Sequence, residues 1–354
     1  MAQLTQTNQP LNWFRRNSGV VWTFLALAAF PFVVALLSGQ PLGEVLTNEQ
    51  GNAKFLQGLM IEICILAVYA LSYDLVLGIT GLLSFGHAMF FGVGAYATGI
   101  MLKTFDLGLG TTLLLVVVAG VIQAFIFGIV LPRVQGITFA LVTLGMAAVF
   151  HIVIQSREMG PFTGADVGLQ GVTSPAFISP SDERLRFYFV AVIFMLTAYL
   201  LYKRFVDSPT GRVCIAIREN EARAKMLGYN TFYFKLAALT VASITAALAG
   251  ALHTLYSPIV SPNVASLAYT VSALLMILMG GVGTLSGALI GAGLFRLLEF
   301  GLDRYFGEQA SFLIGVVYIG IVLYLPFGVV GTWQQRSADI QRGRERILAF
   351  FKSD

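Results

Sequence analysis

Long apolar stretches alternate with short polar connections along this chain of 354 residues. Most of the stretches are long enough to cross a hydrocarbon core of about 30 Å as a helix. The pattern therefore predicts an all-α, polytopic membrane protein with about ten transmembrane helices. The predicted spans are 20–38, 58–77, 85–102, 111–131, 137–154, 187–202, 236–256, 268–280, 284–300 and 312–325.

Composition supports a membrane location, because hydrophobic residues make up 57% of the chain and charged residues only 11%. So few charges cannot cover a water-facing surface. Lysine and arginine near span ends are retained in the cytoplasm. With ten spans, 15 of the 22 basic residues lie on the face that carries both termini. We therefore expect both termini to be cytoplasmic, and the net charge of +4 to reflect contact with anionic lipid rather than nucleic acid.

The same pattern divides the chain into one membrane domain and two flanking segments. We predict a cytoplasmic N-terminal segment at 1–19, a transmembrane domain at 20–330 and a basic cytoplasmic tail at 331–354. Two polar interruptions fall within the domain. The first, 156–186, is predicted to be extracytoplasmic, and the second, 203–235, cytoplasmic.

Residues 78–99 contain six glycines in an otherwise apolar run with no formal charge. Glycine lowers helix propensity, and a broken helix at membrane depth is tolerated only where it is buried in protein or lines a cavity. We expect a break between Gly78 and Gly86. The break would place a small group of residues near a translocation route, although close packing without such a role is an open alternative. These residues are Ser84, Phe85, Gly86 and His87.

Small residues four apart also predict close helix packing, because they let helix backbones approach each other in lipid. One such face is formed by Gly283, Gly287 and Gly291, and another by Ser84, Ala88 and Gly92. Each face begins with a similar tetrapeptide, GLLS at 81–84 and GTLS at 283–286, which suggests an internal duplication of the kind found in transporters.

Four ionisable residues fall within predicted spans: Glu62, Asp74, Arg296 and Glu299. Such residues usually face a bundle interior or an aqueous cavity. Arg296 and Glu299 are three apart and can pair on one helix. Asp74 and Glu299 are close enough to span ends to be solvated. Glu62 is the deepest, and a structural hydrogen bond and a role in the translocation pathway both remain open for it.

Catalytic and cofactor-binding motifs do not occur in the sequence. The three histidines and two cysteines have no metal-ligand spacing, so we expect no metal site. No G-x-S-x-G elbow and no G-x-x-x-x-G-K-[ST] phosphate loop is present. We therefore expect a protein that is not an enzyme, binds no cofactor and cannot hydrolyse ATP by itself.

The second interruption contains its own helix signals. Asn220 is a good N-cap, Glu221 brings negative charge to the first turn, and Gly228 suits the left-handed position after the last turn. These signals predict a helix of about two turns at 221–227. The expected apolar stripe comprises Ile217, Ala224 and Leu227, and the expected exposed basic residues are Arg218, Arg223 and Lys225. An amphipathic helix on the bilayer is one interpretation, but so short a projection favours docking into a groove on another protein.

Several segments resemble, in order, the permease subunits of ATP-binding-cassette importers for branched-chain amino acids, especially the LivM type. The resemblance covers most of residues 60–330 and is most specific in the second interruption. The matching segments are YDLVLGITGLLSFGHAMFFGVGAYATG (73–99), GITFALVTLGMA (136–147), FTGADVGLQGV (162–172), GRVCIAIRENEARAKMLGYN (211–230) and SPNVASLAYTVSALLMILMGGVGTLSGALIGAG (261–293).

The resemblance implies a multi-pass subunit of the bacterial inner membrane that pairs with a homologous second permease. Two cytoplasmic ATP-binding subunits would use the ATP, and an extracytoplasmic amino-acid-binding protein would deliver the substrate. The family's coupling loop would fall on Arg218, Glu219, Asn220, Glu221, Ala224 and Gly228. Glu221 precedes Gly228 by seven residues, which departs from the common form of that motif.

Leucine, isoleucine and valine are the substrates that this resemblance favours. Other neutral amino acids, urea and short amides are the alternatives that relatives suggest. The competing class is a secondary transporter or channel, which would use Glu62 or Asp74 to bind a coupling ion.

Overall fold

The computed structural model describes residues 18–39, 41, 51–181 and 183–333. Most of the predicted N-terminal segment and basic tail lies outside these residues. The described part is almost entirely helical, which confirms the all-α polytopic fold. Its helices are α1 (Ser18–Leu37), α2 (Asn52–Asp74), α3 (His87–Lys103), α4 (Leu109–Val130), α5 (Ile137–Gln155), α6 (Gly160–Thr163), α7 (Arg184–Asp207), α8 (Pro209–Met226), α9 (Thr231–Tyr256), α10 (Leu267–Gly280), α11 (Leu285–Phe306) and α12 (Ala310–Tyr324).

Eight helices in the described ranges are long and apolar enough to cross a membrane, and all eight coincide with predicted spans. The other two predicted spans, 85–102 and 268–280, correspond to α3 and α10. These helices have only 17 and 14 residues, and both contribute buried side chains to the helix bundle. The number of crossings and the location of the termini therefore stay predictions.

The centre of the bundle is formed by α2 and α9. α9 packs along α3 and α4, whereas α2 packs against α7 and α11. Large aromatic side chains fill the space between them, because a protein interior is close-packed. The largest fully buried ones include Tyr69, Tyr73, Phe90, Phe91 and Phe127. By contrast, α4 and α5 expose residues such as Ile122, Ile129 and Ile152, which suits surfaces that contact lipid.

The described part of the interruption at 156–186 packs against the bundle. It contributes strand β1 (Leu169–Gln170), which pairs antiparallel with β2 (Ile259–Val260) after α9. Lys103 at the end of α3 donates a hydrogen bond of 2.7 Å to the Gln170 carbonyl oxygen. The loop therefore covers the ends of α3 and α9.

The predicted small-residue faces are only partly correct. Gly287 and Gly291 lie on α11 and face α10, where a Cβ on either would collide with backbone oxygens. Gly283, however, lies before α11 with a φ of +77°, a left-handed conformation that favours glycine and ends any continuous helix. Its assignment to the same helix face was wrong.

The second face has the same limitation, because Ser84 lies before α3. Ala88 and Gly92 do lie within α3. The Ala88 amide donates to Thr270 Oγ1 on α10 at 3.0 Å, and Gly92 lies against Ala265.

Candidate functional site

The sequence signals in the second interruption produce two helical segments joined at a kink. Ser208 caps the first segment of α8, since its Oγ accepts from the Gly211 amide at 3.2 Å. The helical path breaks at Asn220, whose φ and ψ are −163° and 100°. Asn220 Oδ1 then accepts from the Arg223 amide at 2.9 Å, which confirms the predicted N-cap.

The second segment, residues 221–226, ends as predicted. Gly228 has a φ of +89°, and its amide donates to the Lys225 carbonyl oxygen at 3.0 Å. The Tyr229 amide donates to the Ala224 carbonyl oxygen at 3.2 Å. These two bonds reverse the chain immediately after the last helical turn.

Because of this reversal, the predicted apolar stripe is wrong at one of its three residues. Ile217 and Ala224 are buried, but Leu227 is 71% exposed because it lies at the reversal rather than on the packed face. Met226 is 85% exposed and Tyr229 is 45% exposed. Together Met226, Leu227 and Tyr229 form an apolar tip, which we call the loop tip.

An ion pair fixes the second segment to the start of α9. Lys235 Nζ lies 2.6 Å from Glu221 Oε2, and the Lys235 side chain is only 7% exposed. Thr231 donates to Glu221 Oε1 at 2.9 Å, and Lys225 lies 3.1 Å from the same carboxylate. Burial alone would raise the pKa of Glu221, but the hydrogen bonds from Lys235, Lys225 and Thr231 outweigh it and hold that pKa below its ordinary value.

A second connection joins the first segment of α8 to the predicted break. Arg218 Nη1 donates a hydrogen bond to the Gly78 carbonyl oxygen. A Cβ on Gly81 would lie 3.1 Å from Arg218 Cα, and a Cβ on Gly283 would lie 2.7 Å from Arg218 Nη1. Arg218 is exposed, as predicted, but it contacts both glycine-containing loops: its Cα, Cβ and Cγ lie at Gly81, and its guanidinium lies at Gly283.

The break itself lies where the glycines predicted it. α2 continues through a π-helical turn, Leu75–Ile79, and residues 80–86 are not helical before α3 begins. Because a π-turn widens the helix, the backbone hydrogen-bond pattern changes just before the break. The similar tetrapeptides at 81–84 and 283–286 each place their glycine, Gly81 and Gly283, against Arg218.

Asp74 is completely buried, so the prediction that it is solvated near a span end was wrong. Its Oδ1 accepts from the Gly283 amide at 2.7 Å, which joins the end of α2 to the loop between α10 and α11. That loop closes over the carboxylate. Its burial depends on a segment 209 residues away, which no local pattern reveals.

The four predicted pathway residues at the break differ in exposure. Ser84 and His87 are fully buried, Gly86 is buried, and Phe85 is half-buried. Ser72 Oγ lies 2.8 Å from His87 Nε2, and aromatic rings surround the imidazole. Ser84 Oγ and His87 Nδ1 have no hydrogen-bond partner among the described residues. The placement of these four residues on a translocation route therefore stays a prediction.

Glu62 lies away from the break, in a cluster with Arg296 and Glu299. Arg296 Nε donates to Glu62 Oε2 at 2.7 Å, and Arg296 Nη1 donates to Glu299 Oε2 at 2.8 Å. The Arg296–Glu299 pair confirms the prediction from their spacing. The Arg296–Glu62 contact was missed, because the two residues are 234 positions apart.

No group of three or more metal-ligating side chains occurs within the described residues. Cys64 and Cys214 are buried free thiols.

Comparison with known proteins agrees with this architecture. A model of the family described as the branched-chain amino acid transport system permease component matches residues 55–325. No solved structure matches the chain.

The individual relatives are named as permeases of branched-chain amino acid transport systems. The chain is 25% identical over 287 residues to the high-affinity branched-chain amino acid transport system permease protein LivM of Salmonella typhimurium, covering 74% of this chain and 67% of the relative. It is 25% identical to the probable LivM permease of Methanocaldococcus jannaschii, with coverages of 74% and 86%. It is 26% identical to the LivH permease of Salmonella typhimurium, with coverages of 75% and 91%. The chain therefore belongs to the branched-chain amino acid transport permease family and is a multi-pass protein of the bacterial inner membrane.

Proposed function

We propose that the chain is one permease subunit of an ATP-driven importer for leucine, isoleucine and valine. A homologous second permease supplies the other half of the translocation pathway. Two cytoplasmic ATP-binding subunits hydrolyse ATP, and an extracytoplasmic binding protein delivers the amino acid. The names of the relatives support this assignment, since both LivM and LivH are high-affinity branched-chain amino acid permeases.

The loop tip is the surface that we assign to the ATP-binding subunits. Met226, Leu227 and Tyr229 expose apolar side chains at the end of a short, capped helix. Exposed apolar residues of this kind bury themselves in a groove of a partner. The observation that carries the proposal is that this tip is fixed to two membrane helices, through Glu221 to α9 and through Arg218 to the end of α2.

These connections provide a route for mechanical coupling. Nucleotide binding would move the two ATP-binding subunits together, and the loop tip would move with them. Because Glu221 and Arg218 both belong to α8, on either side of the kink at Asn220, a movement of α8 as one body displaces α9 and the break together. We propose that this displacement opens a pathway past Ser84, Phe85, Gly86 and His87.

Substrate choice is the less constrained part of the proposal. Other neutral amino acids, urea and short amides remain alternatives, because a binding protein can select the ligand before the permease meets it. Uptake assays with the purified binding protein and radiolabelled leucine, alanine and urea distinguish them. Leucine transport without urea transport is the expected result.

The decisive experiment combines copurification with crosslinking. The chain is isolated from native membranes with Cys64 and Cys214 replaced by serine and a single cysteine at Met226. We expect a heterobifunctional crosslinker at this position to capture an ATP-binding subunit. The matched control is Tyr305→Cys, which is 81% exposed at the far end of α11 and should capture none. Ala224 is unsuitable for this test because it is buried within the chain.

Two results would contradict the proposal. Crosslinks from position 226 to lipid alone would favour a helix that rests on the bilayer. Uptake by the purified chain in liposomes, driven by a proton or sodium gradient without ATP, would establish a secondary transporter.

A further inference from the structure

A charged cluster lies within the membrane domain, where α2 packs against α11. Arg296 donates to one oxygen of Glu62 and one oxygen of Glu299, and we call these three residues the charged triad. Glu62 lies ten residues from the start of α2, and Arg296 lies ten residues from the end of α11. At a rise of about 1.5 Å per residue, both are about 15 Å from those helix ends.

The triad is not sealed inside the chain. The side chains of Arg296, Glu62 and Glu299 are 24%, 30% and 35% exposed. Charged groups in contact with lipid hydrocarbon are costly, and such residues in spans usually face an aqueous cavity or another protein. The partial exposure of all three therefore indicates a polar environment beside α2 and α11.

The triad also has an unbalanced charge. Two carboxylates share one guanidinium, which leaves one net negative charge. The hydrogen bonds of the guanidinium go to Oε2 of each carboxylate, and no hydrogen bond to Oε1 of Glu62 or of Glu299 occurs among the described residues. A small cation with several N–H donors would satisfy both oxygens.

The surface next to the triad suits an aliphatic group. One turn along α2 from Glu62 lies Leu66, which is half-buried. On α11, Gly293 lies three residues before Arg296 and faces Ile63, with 3.8 Å between the Ile63 side chain and the position of a Cβ. Glycine leaves space there, and the leucine provides apolar contact.

We propose that the charged triad binds the ammonium group of the transported amino acid, with Glu62 and Glu299 as acceptors and Arg296 holding both in place. This inference rests on the proposed function, because it assumes that an amino acid passes through the chain. A cationic side chain of the second permease is the competing occupant. The two differ in whether water and free amino acid reach the triad.

Charge-selective labelling tests the proposal in the complete transporter. Leu66→Cys is introduced with Cys64 and Cys214 replaced by serine, and it is labelled with a trimethylammonium or a sulfonate methanethiosulfonate reagent. Glu62 is one helical turn from position 66, at about 6 Å. At that distance in water, one negative charge raises the local concentration of a monovalent cation about threefold and lowers that of an anion about threefold. We expect the cationic reagent to react about tenfold faster than the anionic one.

Two substitutions should remove this preference and one should not. Glu62→Gln and Glu299→Gln each neutralise the triad and leave one Arg296–carboxylate pair intact, so the fold is retained. Asp303→Asn, one turn beyond Glu299 on an exposed part of α11, is the matched control and should keep the preference. Free leucine should slow the labelling several-fold, whereas 4-methylpentanoate, which lacks the amino group, should not.

The possible outcomes separate this inference from the proposed function. If wild-type transporter imports leucine with ATP but Leu66→Cys is unlabelled in every state, or is labelled without charge preference and without protection by leucine, the triad does not bind the substrate. Protection by 4-methylpentanoate equal to that by leucine would also overturn it. Loss of ATP-driven leucine uptake in the wild-type complex would instead overturn the proposed function.

Discussion

The ion pair between Glu221 and Lys235 gives the sharpest test of how the loop tip is connected to the membrane helices. Lys235 is nearly buried, whereas the Glu221 side chain is 23% exposed and has further contacts with Lys225 and Thr231. Removing the two partners should therefore have unequal effects. Glu221→Gln leaves a buried ammonium without a counter-charge, but Lys235→Met leaves a carboxylate that still has two donors.

The magnitudes follow from this asymmetry. Breaking a buried pair so that one charge is left unpaired costs about 3 kcal/mol, at the lower end of the usual range because Glu221 reaches solvent. Loss of Lys235 alone costs about 1 kcal/mol, the net value of one hydrogen bond. The double variant should resemble Lys235→Met, since no unpaired ammonium remains. The cost of about 3 kcal/mol for Glu221→Gln changes the equilibrium between the attached and the detached loop tip about 100-fold.

Proteoliposomes containing the complete transporter provide the assay. We expect the number of leucine molecules imported per ATP to fall strongly with Glu221→Gln, slightly with Lys235→Met and slightly with the double variant. Asp207→Asn, which alters an exposed carboxylate at the end of α7 and outside the coupling loop, is the control and should behave as wild type. If Lys235→Met is as damaging as Glu221→Gln, or if the double variant restores nothing, the ion pair does not transmit the movement.

Three further predictions concern the same connections. Arg218→Gln should lower ATP-driven uptake about tenfold through loss of a charge-assisted hydrogen bond of about 1.5 kcal/mol, while Arg212→Gln on the exposed side of the same helix should not. Gly291→Ala should force α10 and α11 apart at a cost of about 1–3 kcal/mol and lower the melting temperature of the complex, whereas Gly293→Ala should leave it unchanged. The folded-state pKa of Glu221 is lowered, so the stabilising contribution of this carboxylate is fully present above the ordinary carboxyl pKa. The contribution is lost only as the pH falls through the lowered pKa. The number of leucine molecules imported per ATP should therefore be constant from pH 7 to 5. A fall in this ratio near pH 6 that Glu221→Gln abolishes would contradict the lowered pKa.

Local signals allowed the caps of the second segment of α8 to be predicted from sequence, whereas its first segment, capped by Ser208, was not predicted. Asn220 and Gly228 act through bonds to residues three positions away, so their neighbours in the chain contain the necessary information. For Leu227, local signals predicted the wrong environment. Its exposure depends on the direction in which the chain continues after Gly228, and helical spacing assumes that the helix continues.

The polar groups of the membrane helices show a different limit. Apolar stretches reveal that Asp74 and Glu62 are in spans, but not which helices adjoin them. The burial of Asp74 requires the loop at Gly283, and the position of Glu62 requires Arg296. Both contacts join residues more than 200 positions apart. Fold class can thus be predicted from hydrophobic pattern, whereas the environment of each charge depends on tertiary packing.

The arrangement around Arg218 suggests why the two similar tetrapeptides lie together. Each contains a glycine with positive φ, Gly81 at +78° and Gly283 at +77°, and a Cβ on either would crowd Arg218. Glycine at both positions lets one arginine lie against two loops, with its Cα, Cβ and Cγ at Gly81 and its guanidinium at Gly283. A shift of α8 therefore acts on both loops at once, and the Gly283–Asp74 bond keeps the two loops together as they move. We expect the break after α2 and the start of α11 to move as a unit. A disulfide between cysteines placed at Leu82 and Thr284 should therefore leave ATP-driven uptake intact, and a loss of uptake on oxidation that a reductant restores would contradict this movement.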